Sequence, residues 1–193
     1  MRLPAPLAHP LRAAVALVAG LLLLAGCAAP QAPTDPMLAD HGLTGMTARQ
    51  IVDKLDRTPL AERPTNLIAS VRPDQLLLSD DQQRETSLPM PADEFYVSFA
   101  PYLSSTHDCW FHSLTTCVGE LQNADIHVKV TDSSGAVIVD EAMRTFDNGF
   151  LGLWLPRDID ATLVVEHDGH SVTLPITTKG DEAATCLTTL QLT

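Results

Sequence analysis

An apolar run from Ala13 to Leu24 divides the chain before any question of fold arises. It is about a dozen residues, roughly 18 Å as a helix, and falls short of the ~20 residues that span a bilayer. The only charges before it are Arg2 and Arg12, and the small residues Ala25 and Gly26 follow it. A basic start, a short greasy centre and a small-residue ending make a cleavable export signal, so residues 1–26 leave the folding problem. The remainder is expected to fold outside the cytoplasm, where thiols tend to oxidise. The whole chain has 193 residues, 12 Lys and Arg against 24 Asp and Glu, and a net charge of -12. Because the signal holds no acids, its removal makes the acidic excess larger. That sign argues against nucleic acid, whose binders need clustered Lys and Arg to displace counterions. A hydrophobic share of 45% excludes a disordered, solvating chain.

The signal's ending, Leu24-Ala25-Gly26-Cys27, is similar to the lipobox of bacterial lipoproteins. That resemblance implies acylation of Cys27 and cleavage in front of it; the plainer reading is an ordinary signal followed by a chance cysteine. Two or more acyl chains anchor a protein stably in a leaflet. Residues 27–46, with Pro30, Pro33, Pro36, Gly42 and Gly45, then read as a flexible tether. The expected location is extracytoplasmic, lipid-anchored to a bacterial membrane in the periplasm or at the outer cell surface.

The folded part reads as mostly β with some α, an α+β chain. A small N-terminal α+β region covers 47–94, and a C-terminal β-sandwich-like domain covers 95–193. Thr47 with Gln50 has capping-box spacing, and Ile51, Val52 and Leu55 share a helix face that stops at Thr58-Pro59. Strand-like runs follow at 67–71, 75–78 and 95–99. Ile126, Val128 and Val130 alternate with His127 and Lys129 in a half-buried strand. Further runs lie at 137–139, 149–155, 162–166, 171–176 and 187–192, a spacing that suggests a small sandwich. His167-Asp168-Gly169-His170 reads as a hairpin turn, because Asp-Gly suits type I′. No Gly-rich phosphate loop, dinucleotide fingerprint, His-Glu-x-x-His or Gly-x-Ser-x-Gly occurs.

Beyond Cys27 three thiols remain, Cys109, Cys117 and Cys186, and an odd number in an exported protein needs an explanation. One disulfide plus one buried free cysteine is the plain one. The company of Cys109 points further. In Thr106-His107-Asp108-Cys109-Trp110-Phe111-His112-Ser113-Leu114-Thr115-Thr116-Cys117, Cys109 and His112 lie three apart, on one side of a turn. Cys117 is far enough along to fold back, and Cys186 must be brought in by tertiary packing. Three thiolates and an imidazole gathered together would make a soft-donor site for Cu(I) or Zn²⁺. His107 is the weaker candidate, read as a loop-surface residue or a hydrogen-bond partner of Asp108. His127, His167 and His170 read as solvent-facing.

Cys109-Trp110-Phe111-His112-Ser113-Leu114-Thr115-Thr116-Cys117, followed by Gly119-Glu120-Leu121, resembles the signature of the CueP family of periplasmic copper-binding and copper-resistance proteins. The resemblance extends to Phe95-Tyr96, Ala100-Pro101-Tyr102, Asn148-Gly149-Phe150, Leu153-Trp154-Leu155-Pro156 and Thr185-Cys186-Leu187-Thr188-Thr189-Leu190. It implies copper as ligand, bound through Cys109, His112, Cys117 and Cys186. It also implies Cu(II) reduction to Cu(I) coupled to thiol–disulfide chemistry, and a homodimer formed through the N-terminal region. In a division partly taken from the family, Cys117 and Cys186 donate the electrons, while Cys109 and His112 hold the ion. A thiol–disulfide reductase or a copper-accepting protein would then be partners. The alternative is a module stabilised by structural zinc or a disulfide, without redox activity. A thiol–disulfide oxidoreductase ranks last, because no Cys-x-x-Cys opens a helix.

Overall fold

Local chemistry starts the helices of this chain. The computed structural model describes residues 35–193. The export signal, Cys27 and the first part of the expected tether lie outside the described residues. Helix α2 (Ala48–Asp56) carries both halves of the Thr47–Gln50 capping box and buries Ile51, Val52 and Leu55. Before it, helix α1 (Pro36–Asp40) is capped by the Asp35 carboxylate, which accepts from Met37 N–H at 2.9 Å. Residues 36–46, expected to be tether, therefore pack. Met37 and Leu43 are buried in the same cluster as Ile51 and Val52. Each such burial contributes roughly 1.5–3 kcal/mol, enough to order a short segment despite its prolines and glycines.

Strands β1 (Leu67–Val71), β2 (Gln75–Asp80) and β3 (Glu85–Pro89) form an antiparallel sheet in the order β1-β2-β3. The third has no clear signature in the sequence. It is a polar edge strand, and the proline is tolerated at its last residue. With α1 and α2 this sheet encloses one core cluster.

The remaining strands are β4 (Glu94–Tyr102), β5 (Asp125–Asp132), β6 (Val137–Arg144), β7 (Leu151–Pro156), β8 (Asp160–His167), β9 (His170–Thr177) and β10 (Cys186–Gln191). They form a three-stranded sheet, β10-β4-β7, and a four-stranded sheet, β6-β5-β8-β9. The fold is mostly β, with few helices. At the β8–β9 turn Asp168 and Gly169 both have positive φ, 48° and 82°, which a type I′ turn requires. Both sheets feed a second core: Phe95, Val97, Phe99, Leu153 and Leu155 from one, Ile126, Val128, Val130, Leu163 and Val165 from the other. Among the described residues, no helix is long and apolar enough to cross a membrane.

β4 is buried along nearly its whole length, because each of its faces has a separate task. Phe95, Val97 and Phe99 enter the core between the two larger sheets, while Tyr96 enters the helical cluster. Ser98 is in register with Cys186 of β10, a parallel neighbour, and with Gly152 of β7. A Cβ at Gly152 would overlap the hydroxyl and ring of Tyr96, so only glycine lets this tyrosine cross β7. Tyr96 thereby reaches α2, and β4 becomes the strand beside which the site is assembled.

Candidate metal centre

The loop between β4 and β5 carries Cys109, His112 and Cys117, and backbone contacts fold it onto the two sheets. Near its start, Glu120 accepts from the N–H groups of Leu103 and Ser104 at 3.0 Å and of Ser105 at 2.9 Å. The Ser104 hydroxyl donates to the same carboxylate at 2.6 Å. These donors hold the Glu120 carboxyl down at about 2. Further on, the loop extends the edge of β1. Val71 N–H donates to His112 O and Leu114 N–H to Ala69 O, each at 2.8 Å. Cys117 then follows a single turn closed by its N–H to Ser113 O at 3.1 Å. Cys186 arrives from the far end of the chain. Its N–H and that of Thr185 both donate to Trp110 O, at 3.1 and 3.0 Å. The Thr185 hydroxyl accepts from His112 N–H at 3.0 Å and donates to Val71 O at 2.7 Å.

Cys109 and Cys186 form a disulfide with Cα atoms 5.7 Å apart, and Cys117 is free and buried. The bonded pair is thus Cys109–Cys186, where Cys117–Cys186 had been expected. Cys117 is nonetheless close, with its Sγ 3.6 Å from that of Cys109. His112 Nδ1 lies 3.7 Å from Cys186 Sγ. The donor atoms of His112, Cys117 and Cys186 all fall within 4.8 Å of one another, and so do those of His107, Cys109 and Cys117. Among the described residues, the other histidines stand apart. His127 pairs with Asp140 at 3.1 Å, and His167 Nδ1 meets Asp125 O at 2.7 Å. An open hollow of about 810 Å³ beside His127, His167 and His170 is lined by none of the cysteines.

Behind His112 stands a group that was not singled out from sequence. Asp56, at the end of α2, is 1% exposed, and its Oδ1 lies 2.9 Å from His112 Nε2. Asn148 Nδ2 donates to the same oxygen at 3.1 Å. The hydroxyls of Tyr96 and Ser98 donate to Oδ2. A clue was present: Asp56 lies four residues after Val52, so a carboxylate sits on the apolar stripe of its helix. Burial alone would raise the Asp56 carboxyl, but the charge of His112 and its hydrogen bonds with His112, Tyr96 and Asn148 keep it below its ordinary value. Burial alone would likewise lower His112, and Asp56 holds it up at about 9. One imidazole nitrogen is therefore fixed on the carboxylate, and the other faces the sulfurs. That is the outer-shell arrangement common to metal-ligating histidines.

Cys117 is pulled in the same two directions. Burial pushes its thiol up, while His112 beside it more than offsets this and leaves the thiol below its ordinary range. Arg63 adds positive charge nearby, donating to Cys117 O at 2.8 Å, with its Nε and Nη2 buried and unpartnered. The expected result is a Cys117 thiolate that forms at lower pH than an ordinary thiol. Titration of thiolate ultraviolet absorbance in the oxidised protein checks this. His112→Ala should move the midpoint upward, and an unchanged midpoint would remove His112 as the cause.

Thiol and imidazole donors, one imidazole oriented by a buried carboxylate, make a candidate site for a soft metal on a mostly-β scaffold. A family model described as "Periplasmic copper-binding protein CueP" matches residues 50–191. The structure is also similar to a crystal structure of S.CueP, with a TM-score of 0.76 and 46% identity, covering 82% of this chain and 96% of that one. A search of the curated proteins gives no match. The chain belongs to the CueP family.

Proposed function

We propose that the protein is an extracytoplasmic copper-binding lipoprotein, anchored through Cys27, that serves copper resistance by holding Cu(I) and reducing Cu(II) with its thiols. The observation that carries this reading is the buried triad of His112, Cys117 and Cys186, with donor atoms within 4.8 Å, in a chain of this family. Thiolate and imidazole suit the soft Cu(I) ion. Two thiolates that close to a disulfide release two electrons, and each Cu(II) takes one, so one bond formed accounts for two Cu(I). The bonded Cys109–Cys186 pair is the oxidised end of that reaction. Cys117 sits where its thiolate can attack Cys109, closing a Cys109–Cys117 bond and freeing Cys186 beside His112. All three sulfurs thereby join one exchange system, which widens the Cys117–Cys186 division expected from the sequence. Without a dithiol partner to reopen the bond, the protein turns over once.

The test mixes the fully reduced protein with Cu(II) and a Cu(I)-specific chromophore. Wild type is expected to give one Cu(I) per thiol consumed. Cys109→Ser, which removes the sulfur shared by both bonds, is expected to lose most of that yield, and Cys117→Ser to slow it or release the product more readily. If both variants reduce copper as well as wild type, the cysteines are structural and the zinc or disulfide module is the better reading. Acylation of Cys27 is read separately from the mass of the protein's own N-terminal peptide.

A further inference from the structure

The two donor triads overlap, and they differ in depth. The inner one is closed to water: His112, Cys117 and Cys186 are 0%, 8% and 2% exposed. The outer one begins at His107, an exposed loop residue, passes through half-buried Cys109 and ends on the same Cys117. The two imidazoles lie along one apolar wall, since His107 and His112 both pack on the ring of Phe150, at 6.0 and 4.7 Å between centroids. A metal site needs a path of entry as well as its ligands. An ion coming from solvent cannot touch His112 first. His107, an exposed residue, offers it a ring nitrogen already within 4.8 Å of two sulfurs.

We propose that His107 is an entry ligand. In the reduced protein Cu(I) first binds His107, Cys109 and Cys117, then passes to His112, Cys117 and Cys186 without leaving the shared Cys117. The proposal rests on the copper reading above and adds a second, outer site to it. Cu(I) accepts two or three soft ligands, so new bonds form before old ones are given up and no free ion appears inside the protein. No electron moves in this transfer. The Cys109–Cys186 bond must be open beforehand, because each triad takes one sulfur from it.

An entry ligand speeds loading and release alike and leaves the final affinity unchanged. The purified protein, reduced with a dithiol and desalted without oxygen, is mixed in a stopped flow with Cu(I) bicinchoninate. Loss of colour gives the loading rate, and the end point gives the affinity by competition. His107→Ala is expected to slow loading about tenfold, the scale of losing one supporting ligand. Release to a stronger chelator should slow by the same factor, while the end point stays at its wild-type value. His107→Met, which restores a soft donor at an exposed position, should recover much of the rate. The proposal is overturned if both rates are unchanged in His107→Ala. It is equally overturned if the end-point affinity falls as far as the loading rate, since His107 would then be a ligand of the resting site. Failure of the copper reading looks different: reduced wild type would take no Cu(I) from bicinchoninate at all, and both ideas would fall together.

Discussion

Asp56→Ala is expected to lower the unfolding free energy by about 3–5 kcal/mol, the range for removing one partner of a buried ion pair. The reason lies in what remains behind. His112 is fully buried, and its Nε2 has Asp56 Oδ1 as its hydrogen-bond partner. The Tyr96 hydroxyl would lose its acceptor at the same stroke, and the Asn148 amide would keep only the Asp56 backbone carbonyl at 3.3 Å. Asp56→Asn keeps the shape and one acceptor oxygen, so it should lose less. The pair also sets the pH profile. Asp56 is depressed when folded, so its contribution is complete above its unfolded value of about 3.9 and is lost as the pH falls through the lower folded value. His112 is raised to about 9, so its contribution is complete below the unfolded 6.5 and is lost as the pH rises through about 9. Urea unfolding at a series of pH values should show stability flat between these limbs, with the alkaline limb flattened in Asp56→Asn. An Asp56→Ala midpoint equivalent to less than about 1 kcal/mol of loss, the size of an exposed pair, would show that the pair is not buried in solution.

What was legible in the sequence is what local chemistry decides. The Thr47–Gln50 box set the start of α2, strict alternation marked β5, and Asp168-Gly169 fixed the β8–β9 turn. Two elements escaped because tertiary contacts made them. Residues 36–46 look like linker until Met37 and Leu43 find a core, and β3 is a polar strand whose partner is β2. The parallel pairing of β10 with β4, which delivers Cys186, depends on two segments more than 80 residues apart and has no local signature. In the site, residue type and spacing named Cys109, His112, Cys117 and Cys186, but not which two sulfurs bond. That choice depends on how the loop lies along β1 and under Thr185. Asp56 carries no such signal, because a lone acid on an amphipathic helix reads as solvent-facing until the opposing His112 is in view.

Reduction of the Cys109–Cys186 bond is expected to cost about 4 kcal/mol of stability, because it frees a sequence separation of 77 residues. At about 2–4 °C per kcal/mol for a chain of this size, the thermal midpoint should fall by roughly 8–16 °C. The reduced protein should still fold, because other bonds also hold the loop. Val71 and Leu114 pin it to β1, the Thr185 hydroxyl ties His112 to Val71, and the two larger cores do not involve the sulfurs. Reduction therefore loosens β10 and the cysteine loop against each other without dismantling either. Cu(I) bound by sulfurs of the loop and of β10 would replace the lost link. A ligand at a hundredfold excess over its dissociation constant adds about 2.7 kcal/mol. The expected order of thermal midpoints is oxidised protein, then reduced protein with Cu(I), then reduced protein alone. Melting followed by circular dichroism without oxygen checks it, with Cys109→Ser as a form that never closes the observed bond and should behave like reduced wild type. Equal midpoints for the oxidised and reduced forms would show that the bond restrains nothing. A reduced form that Cu(I) fails to raise would show that the metal does not bridge the loop to β10, and the disulfide and the copper would no longer be two ways of closing the same joint.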